Sequence, residues 1–285
     1  MTWWNNRRML QYIHRELDSR FKTKHTQSEV TKKVRSKTII DLALVNYLIG
    51  NTQNNSTNAM NTIFRDISTS QIRTFVFAGH DSTSSTMCYA FHLLSKHPTA
   101  RHQLIAEHDR MSENPNLLNQ LPYTLAVIKE ALRLYPPASS TRSGELGHFI
   151  LGSNGVQLPT DGFLVWSNAY AIHRDEKYWP EPDSFLPERW LANEGDRLYP
   201  LKGGFRPFEF GPRNCIGQEL AMLELKIVLT ITAREFDIKS VYDEWDRLHP
   251  TKALKTLNGD RAYQILSGSA HPSDGLPCRV TSATH

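Results

Sequence analysis

The sequence has 285 residues, 39% of them hydrophobic and 22% charged, a mixture typical of globular proteins that excludes a wholly disordered chain. Its 33 lysines and arginines exceed its 29 aspartates and glutamates by four, too few to indicate a nucleic-acid-binding protein. The three cysteines are widely spaced and suit a reducing compartment. No run of about 18 apolar residues predicts a transmembrane helix, and the N-terminus does not resemble a signal peptide.

The N-terminal part of the sequence predicts helices. Apolar residues recur every three or four positions, which indicates one face of an amphipathic helix, at Leu10, Ile13, Leu17 and Phe21. A second helix is predicted over about residues 39–48. A segment rich in Asn, Ser and Thr at 50–61 predicts a loop, and the basic run at 32–37 is typical of a solvated loop.

A long helix is predicted over about residues 67–94, with a weak point inside it. The segment AGHDST at 78–83 contains a glycine, which costs roughly 1 kcal/mol relative to alanine, and residues that compete for backbone hydrogen bonds. Such local conflicts concentrate at functional sites. A glycine that packs closely against a crossing helix is the alternative, and the segment alone favours neither.

Prolines mark the next helices and the change to mixed structure. Helices are predicted over about 98–108 and 122–134, each beginning at a proline. Further along, we expect a hairpin with strands at 149–151 and 156–158, a strand at 163–166, a helix at 217–235 and a hairpin at about 265–280. The predicted fold class is mainly α with a smaller β portion, in one domain that is helical over 1–135 and mixed over 136–285.

Cys215 gives the most specific chemical signal, in the segment FEFGPRNCIG at 208–217. A cysteine just before a helix has N–H groups and the helix dipole beside its sulfur, and both favour the metal-binding thiolate. Glycines let a flat ligand approach, and Arg213 supplies a cation suited to a carboxylate. A lone cysteine is ordinarily a buried small hydrophobe, but the pattern F-x-x-G-x-R-x-C-x-G is matched at every fixed position.

This segment resembles the haem-binding loop of the cytochrome P-450 family, and other segments agree in the same order. Glu130 and Arg133 reproduce its E-x-x-R helix, and PERW at 187–190 resembles its P-E-R-F segment. The 78–83 segment resembles the A-G-x-D-T-T kink of the distal helix. The longer runs at 78–94 and 122–142, with the tail at 272–277, most resemble fungal secondary-metabolite members.

The resemblance implies a haem b site. Cys215 would be the axial ligand of the iron, with Phe208, Gly211, Gly217 and Arg213 beside the haem. Ala78 and Gly79 would line its distal side. Arg142 is either a surface cation or, by resemblance, a partner of a haem propionate. His80 is expected to be a packing or groove residue, because the distal position must stay open for oxygen. Cys88 and Cys278 are expected to be inert.

Two interpretations compete for Glu130 and Arg133. At i and i+3 they could form an exposed helix ion pair, worth a few tenths of a kcal/mol. The resemblance instead implies a buried network with Arg189 that supports the haem loop. Losing one member of such a network costs about 3–5 kcal/mol, so the two interpretations predict different mutant phenotypes.

The resemblance also implies an activity. A thiolate-ligated haem favours cleavage of the O–O bond, so the expected enzyme is a monooxygenase that inserts one atom of O2 into a small apolar substrate of secondary metabolism. Asp81 and Ser82, with Thr83 adjacent, would relay protons; Ser82 replaces the family's usual threonine. Electrons would come from NADPH through a reductase, with Lys202 and Arg206 as candidate docking cations. The implied location is the cytosolic face of the endoplasmic reticulum, or the cytosol for a chain without an anchor.

The resemblance covers essentially the whole chain but only the C-terminal part of the family's fold. Two hypotheses of different class follow, a monooxygenase recorded as a partial chain and a truncated, non-catalytic remnant with an incomplete haem pocket. The 285-residue chain alone is expected not to be a competent oxygenase, because a pocket without its cover admits water.

Overall fold

The computed structural model describes residues 2–26, 38–50, 60–112, 120–250 and 255–283. The basic run at 32–37 and most of the predicted loop at 50–61 lie outside these residues. The chain divides into two compact units, Met1–Ala78 and Gly79–His285, and each is described by itself.

The first unit contains α1 (Thr2–Thr26), α2 (Ile39–Gly50) and the first part of α3 (Thr62–Lys96). The predicted apolar face of α1 is buried at Ile13, Leu17 and Phe21, where it packs with Leu44 and Met60. This arrangement confirms the helical periodicity of the sequence.

Side-chain caps set where two of these helices begin. Thr38 Oγ1 accepts a hydrogen bond from the N–H of Asp41 at 3.1 Å, ahead of α2. Asn61 Oδ1 accepts one from the N–H of Ile63 at 2.8 Å. Capping by Asn61 explains why α3 begins at Thr62 and not near residue 67 as predicted.

The helices of the second unit are the remainder of α3, α4 (Pro98–Ser112), α5 (Pro122–Leu134), the short α6 (Ala169–Ile172), α7 (Gln218–Glu235) and α8 (Tyr242–Leu248). All but α6 and α8 were predicted. Their shared core is apolar and is lined by residues of α3, α4, α5 and α7, among them Tyr89, Leu104, Val127, Ile128, Leu132, Leu225 and Leu229.

Helix α4 caps helix α5. The carboxylate of Glu107, which is buried, accepts hydrogen bonds from the N–H groups of Tyr123 and Thr124 at 2.7 and 2.8 Å. The N-cap residue Leu121 makes no side-chain capping bond, so Glu107 satisfies donors that α5 cannot satisfy itself. This contact fixes the start of the helix that carries Glu130.

The described strands form four antiparallel pairs. The hairpin of β2 (Phe149–Leu151) and β3 (Gln157–Pro159) was predicted, as was β4 (Leu164–Ser167). The partner of β4 is β1 (Ser140–Ser143), with Thr141 opposite Trp166. The short strand pairs beside long helices confirm a mainly α chain with a smaller β portion.

The C-terminal hairpin is shorter than predicted. Strands β6 (Gln264–Ser267) and β7 (Ser269–Pro272) pair around Gly268, whose φ of 91° requires a glycine. The chain then leaves the hairpin through a 3-10 turn. Its last strand, β8 (Cys278–Ser282), pairs instead with β5 (Phe236–Ser240), which follows α7.

Hydrogen bonds hold the β6–β7 hairpin between α3 and the segment after α5. The N–H of Ala270 donates to Pro137 O at 2.8 Å, and Gln264 Nε2 donates to Pro136 O at 3.1 Å. On the other side, the hydroxyl of Ser85 donates to Ala270 O. Across the described residues, no helix combines the length and the apolar composition needed to cross a bilayer.

Candidate functional site

Cys215 lies in a loop directly ahead of α7. Its N–H donates to Phe208 O at 2.8 Å and closes the loop, which contains a 3-10 turn at Gly211–Arg213. Phe208 is half-buried and packs against the helical core, whereas the side chain of Cys215 is exposed. The loop is therefore anchored at its start and presents the thiol outward.

The sulfur of Cys215 lies beside free N–H groups at the start of α7. A Cβ built on Gly217, the N-cap residue, would be 3.9 Å from Sγ, so no side chain separates the sulfur from the helix. Among the described residues, the N–H groups of Ile216 and Gly217 have no hydrogen-bond partner. The sulfur therefore lies next to backbone donors and the positive end of the helix dipole.

Glu209 holds the loop in a conformation that ordinarily favours glycine. Its φ is 57°, a strain of roughly 1–3 kcal/mol for a non-glycine residue. The carboxylate accepts hydrogen bonds from Arg206 Nη2 at 2.6 Å and Ser140 Oγ at 2.9 Å. Burial alone would raise the pKa of Glu209. The hydroxyls of Ser167 and Ser140 and the guanidinium of Arg206 have the larger, opposite effect, so the pKa lies below its usual value. The charged carboxylate therefore ties the loop to β1.

The two arginines expected near haem propionates differ in their surroundings. Arg213 is exposed within the Cys215 loop and makes no hydrogen bond or ion pair in the described chain. Arg142 is exposed on β1, where Nη1 donates to Thr141 O at 2.8 Å. No hydrogen bond or ion pair of the described residues joins Arg142 to the loop, whereas Arg213 is part of the loop itself.

Glu130, Arg133 and Arg189 form a fully buried cluster, each with a side-chain exposure of 0%. Glu130 Oε1 accepts from Arg133 Nη2 at 2.8 Å and Arg189 Nε at 3.0 Å. Oε2 accepts from Arg133 Nε at 3.0 Å and Trp190 Nε1 at 2.9 Å. The exposed ion-pair interpretation does not hold, because no part of either charge reaches solvent.

The two arginines of this cluster also fasten the segment ahead of the 3-10 turn Pro187–Trp190. Arg133 donates to the carbonyls of His173, Pro182 and Ser184 at 2.8, 2.6 and 3.0 Å. Arg189 donates to the carbonyls of Pro180 and Glu181 at 3.2 and 3.3 Å. Because each guanidinium bonds several carbonyls, the cluster fixes a stretch of backbone that has no regular secondary structure of its own.

His173 connects this cluster to the Cys215 loop. Its Nε2 accepts from the N–H of Arg206 at 2.8 Å, so Nδ1 carries the hydrogen and donates to Arg133 O at 3.0 Å. Burial lowers the pKa of His173 to about 4, which keeps the ring neutral near pH 7. Because Arg206 also bonds Glu209, an unbroken series of contacts runs from Glu130 to the loop.

The sequence motifs do not indicate the roles of His173 and Trp190 in this cluster. Nothing in the sequence pattern distinguishes His173 from the other eleven histidines of the twelve. For Trp190 a signal existed: a tryptophan stands where the family segment has phenylalanine, and a buried indole N–H needs an acceptor. That acceptor is Glu130.

The weak point of α3 is helical in the structure. Ser84 Oγ donates to Asp81 O and Thr86 Oγ1 to Ser82 O, both at 2.9 Å, so side chains add hydrogen bonds along this stretch. A Cβ built on Gly79 would have nothing within 4 Å, which removes the packing-glycine interpretation for the described chain. Ala78, the last residue of the first unit, is exposed.

Polar side chains of this stretch differ in their partners. Asp81 Oδ2 accepts from the N–H of Ser269 at 2.8 Å, and Oδ1 lies 3.1 Å from His271 Nε2. Burial alone would raise the pKa of Asp81. The bonds from Ser269 and His271 have the larger, opposite effect, so the pKa lies below its usual value. Ser82 is half-buried, and the buried Oγ1 of Thr83 has no hydrogen-bond partner in the described chain.

Ser269, His271 and Asp81 are not a hydrolytic triad. Ser269 Oγ and Asp81 Oδ1 both lie 3.1 Å from the same ring nitrogen, Nε2 of His271. In a triad the serine and the carboxylate bond opposite nitrogens, so that the ring can accept a proton from the serine. The arrangement holds Asp81 instead.

The Cys215 loop fits a haem iron. The described residues contain no group of three or more His, Cys, Asp or Glu side chains that could hold a bare metal ion. A single exposed thiol can bind a metal only when a cofactor supplies the other ligands of that metal. The free N–H groups of Ile216 and Gly217 suit the thiolate, and Arg213 suits a peripheral carboxylate of such a cofactor.

Comparisons with known proteins agree on one family. The family model described as cytochrome P-450 matches residues 2–265. The chain is 41% identical to the cytochrome P-450 monooxygenase polC of Polytolypa hystricis, covering 98% of this chain and 51% of that protein. It is 35% identical to the cytochrome P-450 monooxygenase acrF of Aspergillus aculeatus, covering 94% and 59%.

A solved structure gives the same result for the fold. The structure of the cyanobacterial CYP120A1 bound to retinoic acid matches with a TM-score of 0.68 and 25% identity over 96% of this chain and 56% of that one. The chain therefore spans between half and three fifths of the length of these proteins.

Proposed function

Because the chain belongs to the cytochrome P-450 family, we propose that the protein is a haem-thiolate monooxygenase that inserts one atom of O2 into a small apolar organic substrate. The observation that carries the proposal is the exposed thiol of Cys215 beside unpaired N–H groups at the start of α7. Haem b, when bound, supplies the activation of O2.

In this proposal the Cys215 loop holds the cofactor. Cys215 Sγ would ligate the iron, and Arg213 would bond a propionate. Phe208, Gly211 and Gly217 leave room for a flat ring system; the φ of 76° at Gly211, with nothing within 4 Å of a Cβ built there, supports this role. Ala78, Gly79 and Arg142 are proposed haem contacts on resemblance alone.

The buried cluster of Glu130, Arg133 and Arg189 acts through the loop and touches no reacting atom. Its series of contacts through His173 and Arg206 reaches Glu209, which lies next to Phe208. Holding the loop in place keeps the sulfur at one position. This rigidity matters because an iron–sulfur bond tolerates little displacement.

Asp81 and Ser82 handle protons in this proposal. Asp81 is held as a carboxylate beside the hairpin, and Ser82 is the next residue of α3. A protonated Asp81 passes its proton to the hydroxyl of Ser82, which donates its own proton onward. The unpaired hydroxyl of Thr83 is a second candidate for this relay. Because serine lacks the methyl group that restricts threonine rotamers, the relay in this chain is looser.

We propose a secondary-metabolite substrate because the runs at 78–94 and 122–142 resemble fungal members of that kind; the two fungal relatives are named as monooxygenases. We further propose that electrons come from NADPH through a cytochrome P-450 reductase, at the cytosolic face of the endoplasmic reticulum. Lys202 is exposed and is the candidate docking cation. Arg206 is less suited than expected, since its guanidinium bonds Glu209 at 2.6 Å.

A carbon monoxide spectrum tests the proposal. Expressed together with the N-terminal part of the family's fold, the reduced, CO-bound protein is expected to show the red-shifted Soret band of a haem thiolate. Cys215→Ala is expected to abolish that band, because no other ligand of this kind lies in the loop. Cys278→Ala is the matched control, since Cys278 is also exposed and should leave the band unchanged. A Cys215→Ala protein that kept the band would contradict the assignment.

A further inference from the structure

The β6–β7 hairpin places a histidine against the carboxylate of Asp81. His271 Nε2 lies 3.1 Å from Oδ1, and the N–H of Ser269 donates to Oδ2 at 2.8 Å. These contacts join residues 190 and 188 positions apart, so no local motif reveals them. The motif that singles out Asp81 carries no information about His271.

The contacts of His271 determine which ring atom carries hydrogen. The carboxylate of Asp81 has only acceptors, so Nε2 must carry a hydrogen to bond it. Nδ1 has no hydrogen-bond partner among the described residues. The side chain of His271 is 24% exposed and that of Asp81 is 19% exposed. The ring therefore contacts Asp81 at one nitrogen and leaves the other available to water.

Few other charged groups face the ring. Ile265 is opposite His271 in the hairpin, and β6, Gln264–Ser267, has no titratable residue. Helix α3 contributes Asp81, and the other bond of α3 to this hairpin comes from the hydroxyl of Ser85. Ser269 Oγ also lies 3.1 Å from Nε2, but a serine hydroxyl does not ionise near neutral pH. Within the described chain, Asp81 and water are therefore the groups that exchange protons with His271.

We propose that His271 supplies protons to Asp81, so that the relay of Asp81 and Ser82 is fed through the C-terminal hairpin. The proposal rests on the proposed monooxygenase function. In each transfer, a hydronium ion protonates Nδ1 and leaves as water, the Nε2–H bond breaks and an O–H bond forms at Asp81 Oδ1. After Asp81 has passed its proton to Ser82, a second hydronium ion protonates Nε2 and Nδ1 loses its proton to water, which restores the starting tautomer, so one proton is delivered to the relay in each cycle.

The geometry gives a physical reason for a dedicated donor. The hydrogen bonds from Ser269 and His271 favour the ionised form of Asp81, so the residue does not retain a proton between turnovers. A proton donor already in contact with Oδ1 shortens the time during which Asp81 has no proton to pass to Ser82. His271 is the one proton donor that the described structure places in contact with that atom and in partial contact with water.

Three variants separate proton supply from mere hydrogen bonding. His271→Gln keeps an N–H donor for Asp81 but cannot take up a proton from water. Asp81→Asn removes the acceptor of that proton, and the double variant tests whether the two act in series. His148→Gln is the matched control, because His148 is 73% exposed and its ion-pair partner is Glu145. Each protein is first checked for the CO-bound thiolate band, which none of these changes should alter.

The measurement is NADPH consumption with reductase in air-saturated H2O and D2O. His271→Gln is expected to slow NADPH consumption about tenfold or more and to enlarge the solvent isotope effect. Asp81→Asn should have the same two effects. The double variant should consume NADPH no more slowly than the slower single variant. His148→Gln should match the unchanged protein. If His271→Gln keeps the rate and isotope effect of the unchanged protein while Asp81→Asn does not, the contact is only structural and the proposal is overturned.

A measurement without haem keeps the two proposals distinguishable. Urea denaturation midpoints of the unchanged protein, Asp81→Asn, His271→Ala and the double variant form a double-mutant cycle. Non-additive shifts are expected from a direct contact, whether or not haem binds. Additive shifts would remove the contact and overturn the inference. A missing thiolate band in the unchanged protein would instead overturn the proposed function, and the proton-supply role with it.

Discussion

At the scale of single residues, the carboxylate of Glu130 has the largest number of partners in the site. It accepts five hydrogen bonds, from two atoms of Arg133 and one each of Arg189, Trp190 and the N–H of Leu186. Two guanidinium groups share this one anion without exposure to solvent. Removal of Glu130 leaves two buried guanidinium groups without their anion, and removal of Arg189 takes a donor from the carbonyls of Pro180 and Glu181 and from one oxygen of Glu130.

Arg189→Ala is therefore expected to lower the free energy of unfolding by about 3–5 kcal/mol. Combining it with Glu130→Ala should add less than the sum of the single changes, because the residues act as one unit. Urea denaturation at pH 7 measures both. The control is Arg197→Ala, whose ion pair with Glu181 has side-chain exposures of 67% and 48% and should cost about 1 kcal/mol or less. Equal losses for Arg189 and Arg197 would contradict a buried network.

Glu209 shows two opposing effects at one residue. Its positive φ destabilises the loop, and its bonds to Arg206 and Ser140 stabilise it. Glu209→Gln keeps the strain and loses the charge, whereas Glu209→Gly loses both. We expect Glu209→Gln to lower the stability more than Glu209→Gly does, by about 1 kcal/mol. Thermal unfolding of the two variants gives the order, and the reverse order would show that the bonds outweigh the strain.

At the scale of elements, Asp260 joins α3 to the end of α5. Its carboxylate lies 3.1 Å from His92 Nε2 and 3.3 Å from Lys96 Nζ, and it accepts from Tyr135 Oη at 2.8 Å. Burial raises the pKa of Asp260, but the bond and charge of His92 and the further bonds from Ala262 and Tyr135 lower it far below its usual range.

This lowered pKa predicts a pH dependence of stability. A carboxyl whose pKa is lower in the folded than in the unfolded chain stabilises the fold above its unfolded pKa of about 3.9. That stability is lost as the pH falls through and below this value. Asp260→Asn should thus be less stable than the unchanged protein at pH 7, with a smaller difference at about pH 3. Urea midpoints at the two pH values test this, and a constant difference would exclude Asp260 as the titrating group.

The elements also show what the sequence could predict. Helices α4 and α5 were predictable because each begins at a proline and carries a local apolar period. Strands β1 and β5 were missed, since their partners β4 and β8 lie far along the chain and their own residues are too few to show a pattern. The same holds for the site. Cys215 and Glu130 belong to contiguous motifs, whereas His173 and His271 act through contacts between distant segments.

At the scale of the whole molecule, the proposed reductase interaction depends on exposed charge near the Cys215 loop. Lys202 is exposed, and steering by such a charge weakens as salt increases. Lys202→Glu is expected to slow reduction of the haem several-fold at low ionic strength and to reduce its salt dependence. Lys177→Glu, at another exposed lysine, is the control. Stopped-flow reduction measures both, and equal rates would argue against docking at Lys202.

The two contacts that hold Asp81 differ in how they respond to mutation. Ser269 bonds Asp81 through its peptide N–H, so every substitution at position 269 except proline preserves a donor there. The contact from His271 depends on one side chain and is lost by a single codon change. During divergence of the gene, the backbone contact would therefore persist while the side-chain contact varied. Selection can in this way adjust the acid of α3 in small steps without dismantling the hairpin that positions it.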